Sequence, residues 1–146
     1  MRKLQTVLSR CLGLFLVVAC AWAGEPVVIV NKSNPMTEIS RAQLKKILLG
    51  KMMKWPGGGN VELYLGPAGE PERKAALQHF CGLTEADYTS TFLHASFKGE
   101  ALNQPKTMPS AQSVAQLVQM VPGAVGIVSS VAVTPNVKVI PIAAAE

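Results

Sequence analysis

Apolar residues recur along most of this chain at two spacings, one suited to strands and one to helices. Val27 to Asn31 (VVIVN) is a continuous β-branched run, as in a strand buried on both faces. Lys32 to Met36 interrupts it as a loop, with Asn34-Pro35 at the turn. Leu44, Ile47 and Leu48 then fall at i, i+3 and i+4, with Lys45 and Lys46 on the wet side of a short helix. Ser40 is its N-cap, Gln43 completes a capping box, and Ile39 and Leu44 are placed to staple its start. Gly50 stands where a left-handed stop is expected, and Lys51 lies near the negative helix end. Pro56 to Asn60 is loop, and Val61 to Leu65 (VELYL) alternates as a half-buried strand.

Gly66-Pro67-Ala68-Gly69 predicts a turn, and Pro71 suits the first turn of a helix reaching about Cys81. Ala75, Ala76, Leu77 and Phe80 form its inner side, and Glu70 and Glu72 favour its positive end. Thr84 with Asp87 predicts another cap, and Leu93 to Phe97 a second helical piece. Gly99 to Pro109 is expected as loop. Ser110 caps a helix with Val114, Leu117, Val118 and Val121 inside, stopped by Pro122-Gly123. Val125 to Val128 and Val137 to Ile142 are the last strands. Strands alternating with helices predict an α/β domain, a mixed sheet flanked by helices on both faces.

The first 23 residues predict an export signal rather than structure. Arg2, Lys3 and Arg10 precede and flank the apolar run from Leu12 to Ala19, and Ala21-Trp22-Ala23 is a small-x-small cleavage site. The run is shorter than the roughly 20 residues that span a bilayer, so no membrane-spanning segment is expected. Val17-Val18-Ala19-Cys20 offers a second route, lipidation at Cys20. Cleavage after Ala23 removes 23 of 146 residues and leaves 123, enough for one domain, residues 24–146. Three of 14 basic residues leave with the signal, so 11 face 9 acidic ones and the net charge falls from +5 to +2. No segment interleaves basic and aromatic residues, so nucleic-acid binding is not expected. Cys81 then has no disulfide partner within the domain and reads as a small buried hydrophobe.

Ser40-Arg41-x-x-Leu44-x-x-Ile47-Leu48-Leu49-Gly50-Lys51, followed by Trp55 and glycines, resembles the phosphate ABC transporter substrate-binding protein family. The resemblance continues through Phe97-Lys98-Gly99, Pro105 and Ser110 to Pro122-Gly123-Ala124-Val125-Gly126-Ile127. It implies one lobe of a type 2 periplasmic-binding-protein-like fold, a periplasmic location and a small oxyanion such as phosphate as solute. Such proteins close two α/β lobes on a ligand, and this length supplies one. A partner lobe, self-association into a homo-oligomer, an ABC permease or an envelope protein would complete the assembly. In the family, the turn matching Gly66 to Arg73 carries Arg-x-x-x-Ser-Gly-Thr. Here Leu65-Gly66-Pro67-Ala68-Gly69-Glu70-Pro71-Glu72-Arg73 replaces it, losing both hydroxyls and gaining two carboxylates.

Two functions follow as expectations. In the first, an oxyanion is bound by Ser33, Asn34, Ser40, Arg73 and Ser110, each polar at a loop or helix start. In the second, a degenerate lobe docks on an envelope or secreted partner without a solute. Loop 50–60, with Trp55, Lys51 and Lys54, would be the contact surface, unless Trp55 instead covers the core beside Met52 and Met53. No nucleophile, base and oxyanion donor converge, so no enzyme is expected. His79 and His94 lack ligand-spaced partners, so neither metal nor cofactor is expected. Gly57-Gly58-Gly59 lacks the Lys-Ser/Thr of a phosphate-binding loop and reads as a turn.

Overall fold

A computed structural model describes residues 25–143. The expected export signal, its cleavage site and Cys20 lie outside the described residues. Strand β1 (Pro26–Asn31) is followed by the short β2 (Ile39–Ser40) and helix α1 (Arg41–Leu48). Strand β3 (Glu62–Leu65) leads to α2 (Pro71–Ala76), which passes directly into a π-helical turn (Leu77–Cys81). Helix α3 (Glu85–Phe97), β4 (Lys106–Thr107), α4 (Ala111–Met120) and β5 (Ala124–Ser129) come next. A 3-10 turn (Ser130–Ala132), β6 (Val137–Ile140) and β7 (Ile142–Ala143) complete the order.

Five strands form a mixed sheet in the order β4-β3-β5-β1-β6. β3 is parallel to β4 and β5, whereas β1 is antiparallel to β5 and β6. A separate parallel pair joins β2 to β7, Ile39 opposite Ile142.

Alternation along the strands divides the core. Val28, Val30, Leu63, Leu65, Val125, Ile127 and Ile140 face α1, α2, the π turn and α3. Ile29, Tyr64, Val128 and Val137 face α4, which contributes Val114, Ala115 and Val118. At Gly126 an added Cβ would overlap the Val114 side chain, so the glycine lets α4 lie close on the sheet. Asn31, buried at the end of β1, donates both amide hydrogens to the last turn of α4, to Val118 O at 2.9 Å and Gln119 O at 2.8 Å. Those carbonyls have no partner within their own helix, so the side chain supplies a cap.

Several expectations hold at atomic detail. The Ser40–Gln43 capping box is present, and Leu44, Ile47 and Leu48 are buried. Gly50 has φ of 70°, and a side chain there would strike Asn103 and Phe92. Others are revised. Glu85–Phe97 is one continuous helix, because the Thr84–Asp87 capping box nucleates it and nothing breaks it before Lys98. The expected loop before Pro109 contains the edge strand β4. The last strand is split at Pro141, which ends pairing with β1 and sends Ile142 to β2.

Candidate functional site

The carboxyl ends of β3, β4 and β5 open on one edge of the sheet, the place where open α/β folds hold ligands. The turn from Gly66 to Gly69 lies there. Its chemistry is dominated by its own side chains. The Glu70 carboxylate rests against Gly66 so closely that a Cβ would not fit, and Pro71 at the first helical position removes a donor. Arg73 lies under the same turn, 7% exposed. Its Nη1 donates to Gly66 O at 2.9 Å and Thr107 Oγ1 at 3.1 Å, and its Nε donates to Glu85 Oε2 at 3.0 Å. Nη2 forms a second contact with Glu85, closing a two-pronged ion pair. The guanidinium also lies 6.0 Å from the Tyr88 ring centroid.

The other proposed ligand residues are likewise engaged. Ser110 Oγ accepts from Ser113 N at 3.2 Å, and Ser40 Oγ accepts from Gln43 N at 3.1 Å. Ser33 donates through both its N–H and its hydroxyl to Asn31 Oδ1, at 2.9 and 2.7 Å. Asn34 Oδ1 accepts from Met36 N at 2.9 Å, and its buried Nδ2 has no partner among the described residues. The five do not converge. Arg73 and Ser110 follow the carboxyl end of β3 and its neighbour β4, whereas Ser33 and Asn34 follow Asn31 at the opposite end of the sheet. Ser40 sits apart in β2, beside β7.

Trp55 corrects the expected contact surface. It is 5% exposed, packs in the core with Met52 against it, and donates through Nε1 to Gly123 O at 3.0 Å. The inward alternative is the one realised, and an indole with its N–H satisfied inside gives little to a partner. Lys51 and Lys54 remain exposed on this loop. Ser33, Asn34, Trp55 and Gly123 surround a cavity of about 150 Å³ at that end of the sheet.

A network on the α4 side lies along β3 and β4. Tyr64 donates to Glu62 Oε2 at 2.7 Å, and Lys106 Nζ lies 3.3 Å from the same oxygen. The Tyr64 hydrogen bond, with lesser help from Lys106, holds the Glu62 carboxyl below its ordinary value against the opposing effect of burial. Burial first, then Glu62, pushes the Tyr64 phenol up to about 12. Burial also raises the Cys81 thiol, with Lys45 opposing. No group of three metal-ligating side chains occurs among the described residues, and no helix there is long and apolar enough to cross a membrane.

The partners of Arg73 were not evident from sequence. Glu85 lies 12 residues away in a different helix and Thr107 lies 34 away in an edge strand. A carboxylate following a buried arginine was the only available signal, and many exposed carboxylates meet it.

No family model and no curated protein matches the chain. Solved structures do. An ABC-type phosphate transport receptor from Vibrio cholerae superposes with a TM-score of 0.57 at 20% identity, over 84% of this chain and 47% of that one. PstS from Borrelia burgdorferi gives 0.60 at 12% identity, over 81% and 47%. A Clostridium perfringens crystal structure holding bound phosphate gives 0.65 at 20% identity, over 81% and 44%. The chain thus spans a little under half the length of each. Its α/β architecture is one lobe of the periplasmic-binding-protein fold found in ABC-type phosphate receptors.

Proposed function

We propose that the chain is an exported interaction protein, a lobe of the phosphate-receptor fold that docks on an envelope or secreted partner and holds no phosphate at its own turn. Residues 1–23 are its export signal, cleaved after Ala23 or processed for lipidation at Cys20, and residues 24–146 are the periplasmic domain. One observation carries the reading. Arg73, the basic group nearest the turn, is spent on Glu85, Gly66 and Thr107, while the Glu70 carboxylate lies on Gly66. An incoming oxyanion would meet negative charge, a missing N–H and a guanidinium already neutralised. Lys51 and Lys54 are exposed cations on the loop proposed to meet the partner.

A second reading retains an oxyanion solute. It is favoured by the start of α4, where Ser110 is the cap and no acidic residue occupies the first turn. The bound phosphate in the Clostridium perfringens structure points the same way. Calorimetric titration of the full chain with phosphate and sulfate separates the two. No heat up to about 10 mM, about tenfold above the 1 mM scale of weak specific binding, is expected; saturable one-site heat would overturn the docking reading.

A further inference from the structure

A larger cavity than the one beside Trp55 lies elsewhere. It measures about 500 Å³ and is lined by Arg41, Ala75, His79, Phe80 and Ile142, with Glu25 and Pro26 among its walls. That volume falls within the usual range for small-molecule sites. Four separate parts of the chain build it: the start of β1, the start of α1, α2 with its π turn, and β7. The π turn, where the hydrogen-bond ladder is irregular, brings His79 and Phe80 to the wall together. Their rings meet edge to face at 4.9 Å.

Arg41 is held at this wall from two directions. Its Nη2 donates to His79 O at 3.1 Å, and its guanidinium carbon lies 5.5 Å from the Phe80 ring centroid. Both contacts fix the guanidinium and leave most of its five donors unused. Arg41 has no carboxylate within ion-pair distance among the described residues. A fixed, unneutralised guanidinium beside Phe80, Ala75, Pro26 and Ile142 is matched by a carboxylate on an apolar body. Glu25, exposed at the wall, adds one negative charge and disfavours dianions.

We propose that this cavity binds a small apolar monocarboxylate, its carboxylate on Arg41 and its apolar part against Phe80 and Ile142. The site is distinct from the Gly66 turn, and the proposal does not depend on the docking reading. The test is a ¹H–¹⁵N and methyl NMR titration of the full chain with 4-phenylbutyrate, using 4-phenylbutanol and inorganic phosphate as controls. Expected are saturable shifts at Arg41 Nε–H, Ala75, Phe80 and Ile142 with a dissociation constant near 1 mM or below, the scale of a weak specific ligand. The alcohol, phosphate, and Arg41→Gln with 4-phenylbutyrate should each bind at least about tenfold more weakly, through loss of the charge-assisted pair. Because Arg41 is partly exposed, the variant's spectrum also reports whether its fold is intact. Phe80→Leu, which keeps an apolar wall but removes the aromatic face, should weaken binding without abolishing it. Absence of saturation, equal affinity for the alcohol, or unchanged affinity in Arg41→Gln would overturn the proposal.

Discussion

The indole N–H of Trp55 donates to Gly123 O at 3.0 Å across 68 residues of chain. Glu62 N donates to the same carbonyl at 3.0 Å, so it accepts from the loop after α1 and from the start of β3. A Cβ at Gly123 would fall on the backbone carbonyl of Asn60. Trp55 is therefore a structural clamp. Trp55→Ala should cost about 3–5 kcal/mol, as other large-to-small core changes do. Trp55→Phe keeps the ring but leaves Gly123 O one donor short, for about 1–2 kcal/mol. Gly123→Ala should cost about 1–3 kcal/mol through forced backbone movement. Urea melts with an unchanged m-value measure all three; a Trp55→Ala midpoint matching the parent would place the indole outside the core.

The Arg73–Glu85 pair yields a prediction on which the functional reading depends. Removing Arg73 strips Gly66 O and Thr107 of a donor and leaves Glu85 with an unpaired charge, 30% exposed. Arg73→Ala should cost about 2–4 kcal/mol, below the full penalty for a deeply buried pair because Glu85 retains some water. Arg73→Lys should recover little, since an ammonium cannot reproduce the two-pronged fork. A double-mutant cycle with Glu85→Gln should show coupling above about 0.5 kcal/mol. Coupling near zero would mean that the guanidinium is free to serve a ligand.

The reach of sequence reasoning follows the range of the interactions. The Ser40–Gln43 and Thr84–Asp87 boxes and the stop at Gly50 each close within a few residues, and all are present. The alternation that assigns Leu63 and Leu65 to one face and Tyr64 to the other is equally local. What remained hidden depends on distant partners. Arg73 looks like a basic ligand until α3 brings Glu85 to it. From sequence Trp55 could face a partner or cover the core, and only the turn before β5, which presents Gly123 O to its indole N–H, decides for the core. The π turn has no local signature, because Pro71 to Cys81 has ordinary helical periodicity, yet it shapes the cavity beside Arg41.

Glu62, through its hydrogen bond from Tyr64, and Tyr64, through burial first and that bond second, make stability depend on pH at the two extremes. Glu62 has a folded pKa below its ordinary 4.5, so its contribution is present above that value and is lost as pH falls through the folded pKa. Tyr64 is raised from 10.0 to about 12, so its contribution is intact below pH 10 and is lost as pH rises toward 12. In that alkaline window the unfolded chain has released a proton that the folded chain retains. Tyr64→Phe removes the donor, so it should flatten the acid-side decline and reduce the alkaline one. Some alkaline loss should persist, because burial also raises Tyr88, whose hydroxyl donates to Leu48 O at 2.6 Å. Urea midpoints from pH 3 to 5 and from 9.5 to 11.5 test this; parallel profiles for parent and variant would show that the bond does not couple to folding.

Cys81 should behave as packing rather than as a reactive thiol. It ends the π turn, half-buried against the core on the α1 side, and burial raises its pKa despite the pull of Lys45. Less thiolate and a covered sulfur both slow alkylation, since the thiolate is the nucleophile. Iodoacetamide at pH 8 should modify the native chain at least about tenfold more slowly than the urea-unfolded chain, a ratio that follows thiolate fraction and access together. Cys81→Ser should cost about 1–2 kcal/mol by placing a hydroxyl at an apolar contact. Cys81→Ala should cost less, because it removes volume without adding an unpaired polar group. The reverse ranking, or equal alkylation rates in the native and unfolded chains, would show that the sulfur faces solvent.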